Sequence, residues 1–228
     1  MEKNNKISDI INSSILTKEK LLNKEFINRI KKAAKIIINA YKRKNKVLLC
    51  GNGGSAADAQ HIAAELSGRF YFDRKPLNAE ALHVNTSYIT AVSNDYSYDI
   101  VFERLVKAKG KKGDVLIGIS TSGNSKNVIN AIKKADDLGM KTVSLTGRSG
   151  GKMKKISELT LNIPSEDTPR IQEAHILVGH IICEIVEKTL FGKNWKLKEK
   201  IADKTGPLVK GKILKYNSFE EKPFINKN

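Results

Sequence analysis

The 228 residues are 40% hydrophobic and 29% charged, with a net charge of +17, a composition of ordinary folded globular chains and too apolar for a disordered one. No apolar run reaches the roughly 18 residues of a membrane span, and the opening MEKNNKISDI has no apolar signal region or small-residue cleavage site, so a cytoplasmic protein without a membrane anchor is expected. The positive excess raises nucleic acid as a partner, but it is mostly Lys spread along helical stretches such as Lys31-Lys32 and Lys133-Lys134, without zinc-finger spacing or RNA-binding aromatic signatures; it reads as a solvated surface with no nucleic-acid partner.

Residues 6–44 place Ile7, Ile10, Ile11, Ile15 and Leu16, then Phe26, Ile27, Ile30, Ala33, Ala34, Ile37, Ile38 and Tyr41, at helical spacing, which predicts two amphipathic helices. From Lys46 short apolar strands alternate with helical segments. Strands are expected at 46–50, 79–84, 114–119, 141–146 and 158–163, helices near 55–67, 97–109, 124–138 and 150–157, and a closing helix at 169–191. This alternation predicts an α/β fold with a doubly wound parallel sheet covered on both faces. The expected organisation is a helical extension over 1–45, an α/β domain over 46–192, and a basic tail over 193–228, where ten Lys meet four acidic residues. Cys50 and Cys183 lie far apart in apolar runs and read as buried thiols.

In such sheets ligands bind beyond the carboxyl ends of the strands, which directs attention to two loops. The first is Gly51-Asn52-Gly53-Gly54-Ser55. It has neither dinucleotide nor P-loop spacing, and taken alone is equally a tight strand-to-helix turn capped by Ser55. The second, Ser120-Thr121-Ser122-Gly123-Asn124-Ser125, gathers four hydroxyls before a helix N-terminus, where free N–H groups and the positive end of the dipole suit a phosphate. An N-cap alone would need only one hydroxyl. With no Lys in the loop and no Mg²⁺ motif, a monophosphate is the expected ligand.

GNGGSAADAQHIAAEL at 51–66, ISTSGNS at 119–125, LTGRSGGKM at 145–153 and RIQEAHILVGHIICEIVE at 170–187 together resemble the sedoheptulose 7-phosphate isomerases of the sugar isomerase (SIS) domain superfamily, over roughly residues 5–192. The resemblance implies a five-stranded, flavodoxin-like parallel sheet, a homotetramer, and aldose–ketose isomerisation of D-sedoheptulose 7-phosphate at the start of nucleotide-activated heptose synthesis for bacterial surface polysaccharide. It implies substrate contacts at Asn52, Gly53, Gly54, Ser55, Glu65, Asn94, Asp95, Ser120, Thr121, Ser122, Ser125 and Gln172. It further implies one Zn²⁺ per subunit held by His61, Glu65, Gln172 and His180, with Glu65 and His180 as the acid/base pair.

The residue types suit that chemistry. His61 and Glu65, four apart, share one helical face, and imidazole, carboxylate and amide oxygen are reasonable zinc donors. With Thr168 as N-cap and Pro169 at the first helical position, Gln172 and His180 stand eight residues apart on one helix, about 12 Å along the axis and about 80° around it. That separation favours an active site at a subunit interface. Asp58 is a candidate to orient a ligand, Arg69 and Arg170 to attract phosphate, and Asn94-Asp95 could instead cap the next helix. His83 and His175 read as structural. The rival function is a non-enzymatic SIS-domain tetramer that binds the replication initiator; Glu65, His180 and Ser122 together favour the enzyme. A sugar-phosphate-sensing regulator would carry a DNA-binding extension, and no helix-turn-helix is evident.

Overall fold

Two helices precede the first strand in the computed structural model, which describes the backbone of residues 2–204 and the side chains of residues 6–192. They are α1 (Glu2–Glu19) and α2 (Lys24–Lys42), joined by a 3₁₀ turn over Lys20–Leu22. The Asn23 side chain caps α2 by accepting from the N–H groups of Glu25 and Phe26. The predicted face of α2 is buried, from Phe26 through Ile38. In α1 the stripe Ile7, Ile10, Ile11 and Ile15 is 47 to 61% exposed, so the same periodicity leaves an apolar face open to solvent in the isolated chain.

The strands are β1 (Val47–Gly51), β2 (Ala79–Ala81), β3 (Val115–Ser120), β4 (Lys141–Thr146) and β5 (Leu159–Asn162). They form one parallel sheet in the order β2-β1-β3-β4-β5, the flavodoxin-like order whose ligand crevice opens between β1 and β3. Alternate side chains serve opposite faces. Leu48, Cys50 and Leu116 pack with Phe102, Val106, Val128 and Ile132 in one core, while Val47, Leu49, Ile117 and Ile119 are buried on the other face. All five strands were expected, and only β2 is markedly shorter than the 79–84 assigned to it.

The helices between them are α3 (Gly54–Ser67), α4 (Thr86–Asp95), α5 (Val101–Lys109, after a 3₁₀ turn at Tyr98–Ile100), α6 (Lys126–Asp137) and α7 (Met153–Ile156), followed by α8 (Thr168–Lys204). α4 was not expected, because Thr86-Ser87-Tyr88-Ile89-Thr90 is poor in helix formers; its N-cap Asn85, accepting from Tyr88 N–H, starts it. Asn94 and Asp95 therefore end a helix rather than cap the next one. α8 begins one residue early, with the Asp167 carbonyl taking the first helical bond from Ile171 N–H, so Thr168 is inside the helix and not its cap. It also continues past 191: a lone Gly192 costs about 1 kcal/mol in a helix, and the Lys-rich stretch after it contains good helix formers. By contacts the chain divides into Met1–Glu187 and Lys188–Asn228; the first unit holds the sheet and every residue discussed below. The expected tail beyond residue 204 lies outside the described residues. No described helix is long and apolar enough to cross a membrane.

Candidate active site

Both loops singled out in the sequence leave the carboxyl ends of β1 and β3, neighbouring strands at the crevice. Gly53 is the N-cap of α3 at φ 55°, a conformation that favours glycine. Ser55 lies inside the helix and is 4% exposed, so it is not the cap. Asn52 is pinned across the crevice: its amide exchanges two 2.9 Å hydrogen bonds with that of Asn127, and the Tyr98 hydroxyl donates to Asn52 Oδ1 at 3.0 Å. Neither Asn127 nor Tyr98 was picked out in the sequence; an Asn in the first turn after the serine loop was the available signal.

In the second loop Ser120 Oγ bonds Ser125 Oγ at 2.8 Å and lies 3.4 Å from Ser122 Oγ. Ser125 is the N-cap residue of α6 but makes no side-chain capping bond. Its hydroxyl faces the other serines, and the positive end of α6 stays uncapped by it. That is the arrangement of an anion cradle. Ser122 Oγ accepts from Asn124 N–H and Asn124 Oδ1 from Lys152 N–H, which fixes the loop's outer turn.

The predicted His61–Glu65 pair forms on α3, with Nε2 to Oε1 at 3.0 Å. His180 of α8 joins it, its Nε2 3.3 Å from His61 Nε2. All three ligand atoms lie within 4.8 Å of one another. Two imidazole nitrogens and a carboxylate oxygen facing one point suit a cation. A tetrahedral site with bonds of about 2.0–2.1 Å has ligand–ligand edges of about 3.3–3.4 Å, close to the His61–His180 separation, so the trio fits a metal. The approach of the two helices depends on Gly179: a Cβ there would stand 2.5 Å from Ile62 Cδ1. Phe70, also missed in the sequence, lies against His180 with ring centroids 5.7 Å apart.

Gln172 is found at the start of α3, its amide against Gly54, where a Cβ would meet Nε2 at 2.5 Å. Thr121 is half-buried at the end of β3, while Asn94 and Asp95 are exposed and bonded to each other. Asp58 has Oδ2 buried without a hydrogen-bond partner, and burial pushes its carboxyl up to about 6 against the pull of His61; it makes no orienting bond to that ring among the described residues. Arg170 is buried and paired with Glu173, itself bonded to Ser14. It joins α1 to α8, which corrects the expectation of a phosphate-attracting role, whereas Arg69 is exposed. His175 is buried, as its structural reading requires. His83 is half-buried with Nδ1 unpartnered, and burial lowers its pKa. Cys50 and Cys183 are buried, their thiols pushed up to about 12 chiefly by desolvation.

The profile of the SIS domain family matches residues 12–147. A phosphoheptose isomerase of Clostridium acetobutylicum is 58% identical over 184 residues, covering 80% of this chain and 94% of the relative, and one of Helicobacter pylori (strain P12) is 52% identical over 191 residues, covering 82% and 100%. The chain belongs to the phosphoheptose isomerases of the SIS domain family. Phosphoheptose isomerase GmhA from Neisseria gonorrhoeae superposes with a TM-score of 0.77 at 42% identity, over 81% of this chain and 98% of that one. A phosphoheptose isomerase from Francisella tularensis gives 0.79 at 38%, over 82% and 100%. The motifs noted in the sequence thus lie within the span shared with other phosphoheptose isomerases.

Proposed function

We propose that this chain is an aldose–ketose isomerase that converts D-sedoheptulose 7-phosphate to D-glycero-D-manno-heptose 7-phosphate. The observation that carries the reading is the meeting of His61, Glu65 and His180 in a chain that also bears the serine cradle and is more than half identical to phosphoheptose isomerases. The reaction removes a proton from C1 of the ketose while the C2 oxygen gains one, giving a cis-enediol. Proton delivery to C2 and loss of the C1 hydroxyl proton then give the aldehyde. It requires a base, an acid and stabilisation of charge on oxygen.

Ser120, Thr121, Ser122 and Ser125 would hold the phosphate with the α6 N-terminus. Asn52, Gly53, Gly54, Ser55, Asn94, Asp95 and Gln172 would contact the sugar chain. Glu65 and His180 would move the protons. His61, Glu65 and His180 would hold one Zn²⁺, which when bound supplies Lewis acidity toward the sugar oxygens; the Gln172 amide, which within one chain lies against Gly54, would join them as a ligand only from a neighbouring subunit. A carboxylate that ligates a metal is a weaker base, so Glu65 would have to act as ligand and as base in turn. Retention of both near-full turnover and zinc by Glu65→Gln would exclude that double role.

A cytoplasmic homotetramer supplying activated heptose for bacterial surface polysaccharide completes the proposal. The exposed isoleucine stripe of α1 supports assembly. Because Glu65 and His180 meet within one chain, a neighbouring subunit would close the site from outside rather than complete the pair. Mixed Glu65→Gln and His180→Gln subunits should therefore recover no activity beyond that of each variant alone.

The test is direct. Purified protein incubated with sedoheptulose 7-phosphate, with and without chelator and added Zn²⁺, should form the aldose by NMR, and chelation should suppress it. No aldose under any condition, together with capture of the replication initiator, would establish the non-enzymatic alternative.

A further inference from the structure

Behind the trio lies a buried ion pair that the chemistry above does not use. Arg74 Nε donates to Glu187 Oε1 at 2.9 Å, and both side chains are 1% exposed. Glu187 also accepts from three successive backbone N–H groups, those of Phe70, Tyr71 and Phe72, at 3.0, 2.7 and 3.1 Å. Arg74 in turn donates to the carbonyls of Glu65 and Leu66 at 2.9 Å and Gly68 at 3.0 Å. One end of the pair therefore satisfies carbonyls at the C-terminus of α3, which an α-helix leaves open. The other end lies on α8, seven residues beyond His180 and so nearly on the same helical face, about 10 Å along the axis.

We propose that Arg74 and Glu187 are positioning residues for the isomerase site. They fix the end of α3 that carries Glu65 to the helix that carries His180, and hold Phe70 against the His180 ring. A buried charge pair is weak support for stability in itself, since apolar substitutes serve as well. Its use here is geometric: Arg74 bonds the main chain of Glu65, and Glu187 shares a helix face with His180. Disturbing the pair should shift the donor atoms relative to one another without touching the serine cradle.

The inference rests on the isomerase reading for its kinetic part only, because metal uptake is measured separately. Arg74→Lys and Glu187→Gln are compared with wild type and with Lys46→Met. The last breaks another bridge to a fully buried carboxylate, Lys46 Nζ to Asp114 Oδ2 at 2.7 Å, at the amino-terminal ends of β1 and β3, with no bond to α3 or α8 among the described residues. The readouts are Tm, Co²⁺ affinity from its absorption spectrum, and kcat and KM for sedoheptulose 7-phosphate. The expected result is Co²⁺ affinity and kcat lowered about 10- to 100-fold in the Arg74 and Glu187 variants, with KM within about threefold. Lys46→Met should lower Tm while leaving affinity and kcat near wild type. If Glu187→Gln does not fold, Arg74→Lys and Glu187→Asp decide. Co²⁺ affinity within twofold of wild type in the folded variants, or losses that track Tm equally in Lys46→Met, overturns the proposal. Absence of turnover in wild type overturns the isomerase reading instead, and leaves the Co²⁺ comparison to decide this one.

Discussion

Acidification should expose a cost buried in α8. His175 is 0% exposed. Its Nε2–H donates to the Thr146 carbonyl at 3.2 Å, and Nδ1 is buried without a partner. The charged ring would have no water and no anion there, and desolvation lowers its pKa from 6.5 to about 4. Between those values the unfolded chain binds the proton and the folded chain does not, so stability is intact above about pH 6.5 and is lost as pH falls toward 4. The gap, at roughly 1.4 kcal/mol per pH unit, limits the loss to about 3 kcal/mol, and about 2 kcal/mol of it falls between pH 7.5 and 5.

His175→Leu isolates this contribution. At pH 7.5 the variant loses one hydrogen bond, but the Thr146 carbonyl keeps the Ile163 N–H at 2.8 Å, so the cost is about 1 kcal/mol. At pH 5 the wild type has lost about 2 kcal/mol that the variant never had, and the variant should be the more stable by about 1 kcal/mol. Urea unfolding at fixed protein concentration measures both, and other titrating groups cancel because both proteins carry them. If the wild type keeps the same advantage at both pH values, the buried neutral imidazole is not the source of acid lability.

Gly179→Ala should part α3 from α8, since the new Cβ would stand 2.5 and 2.7 Å from Ile62 Cδ1 and Cγ1. A loss of about 1–3 kcal/mol with weaker Co²⁺ uptake is expected, partly reversed by adding Ile62→Val, as Tm and metal titration will show. Ser120→Ala removes a hydroxyl that bonds Ser125; if it also bonds phosphate, KM should rise about 10- to 100-fold with a smaller change in kcat by steady-state kinetics. Both cysteines should resist iodoacetamide at pH 8 in the folded protein and react after urea, read by mass spectrometry, because burial holds the thiols at about 12.

Local chemistry was the legible part of this chain. The strand runs, the α2 face and the four-residue spacing of His61 and Glu65 each depend on neighbours within one or two turns, and each appeared as expected. α4 was missed because its β-branched and hydroxyl residues have weak helical preference, and tertiary packing of Val92 and Tyr88 overrides it. The Asn52–Asn127 bridge joins residues 75 apart and the Arg74–Glu187 pair residues 113 apart. Periodicity cannot reveal such pairings, because it describes one element at a time.

The same limit applies to the spacing of Gln172 and His180. Eight residues of α8 separate Gln172 from His180, and on a single helix that distance argues against a common centre. The structure supplies a second helix of matching pitch. Gln172 stands against Gly54, Gly179 against Ile62, His180 against His61, and Glu187 against the loop that follows α3. These contacts advance together along both chains, so α3 and α8 run in the same direction. Gly54 and His61 are about 10 Å apart along α3, near the roughly 12 Å between Gln172 and His180. Within one chain the parallel partner helix therefore sets His180 against His61 and Gln172 against Gly54, and the eight-residue spacing keeps the Gln172 amide away from the trio.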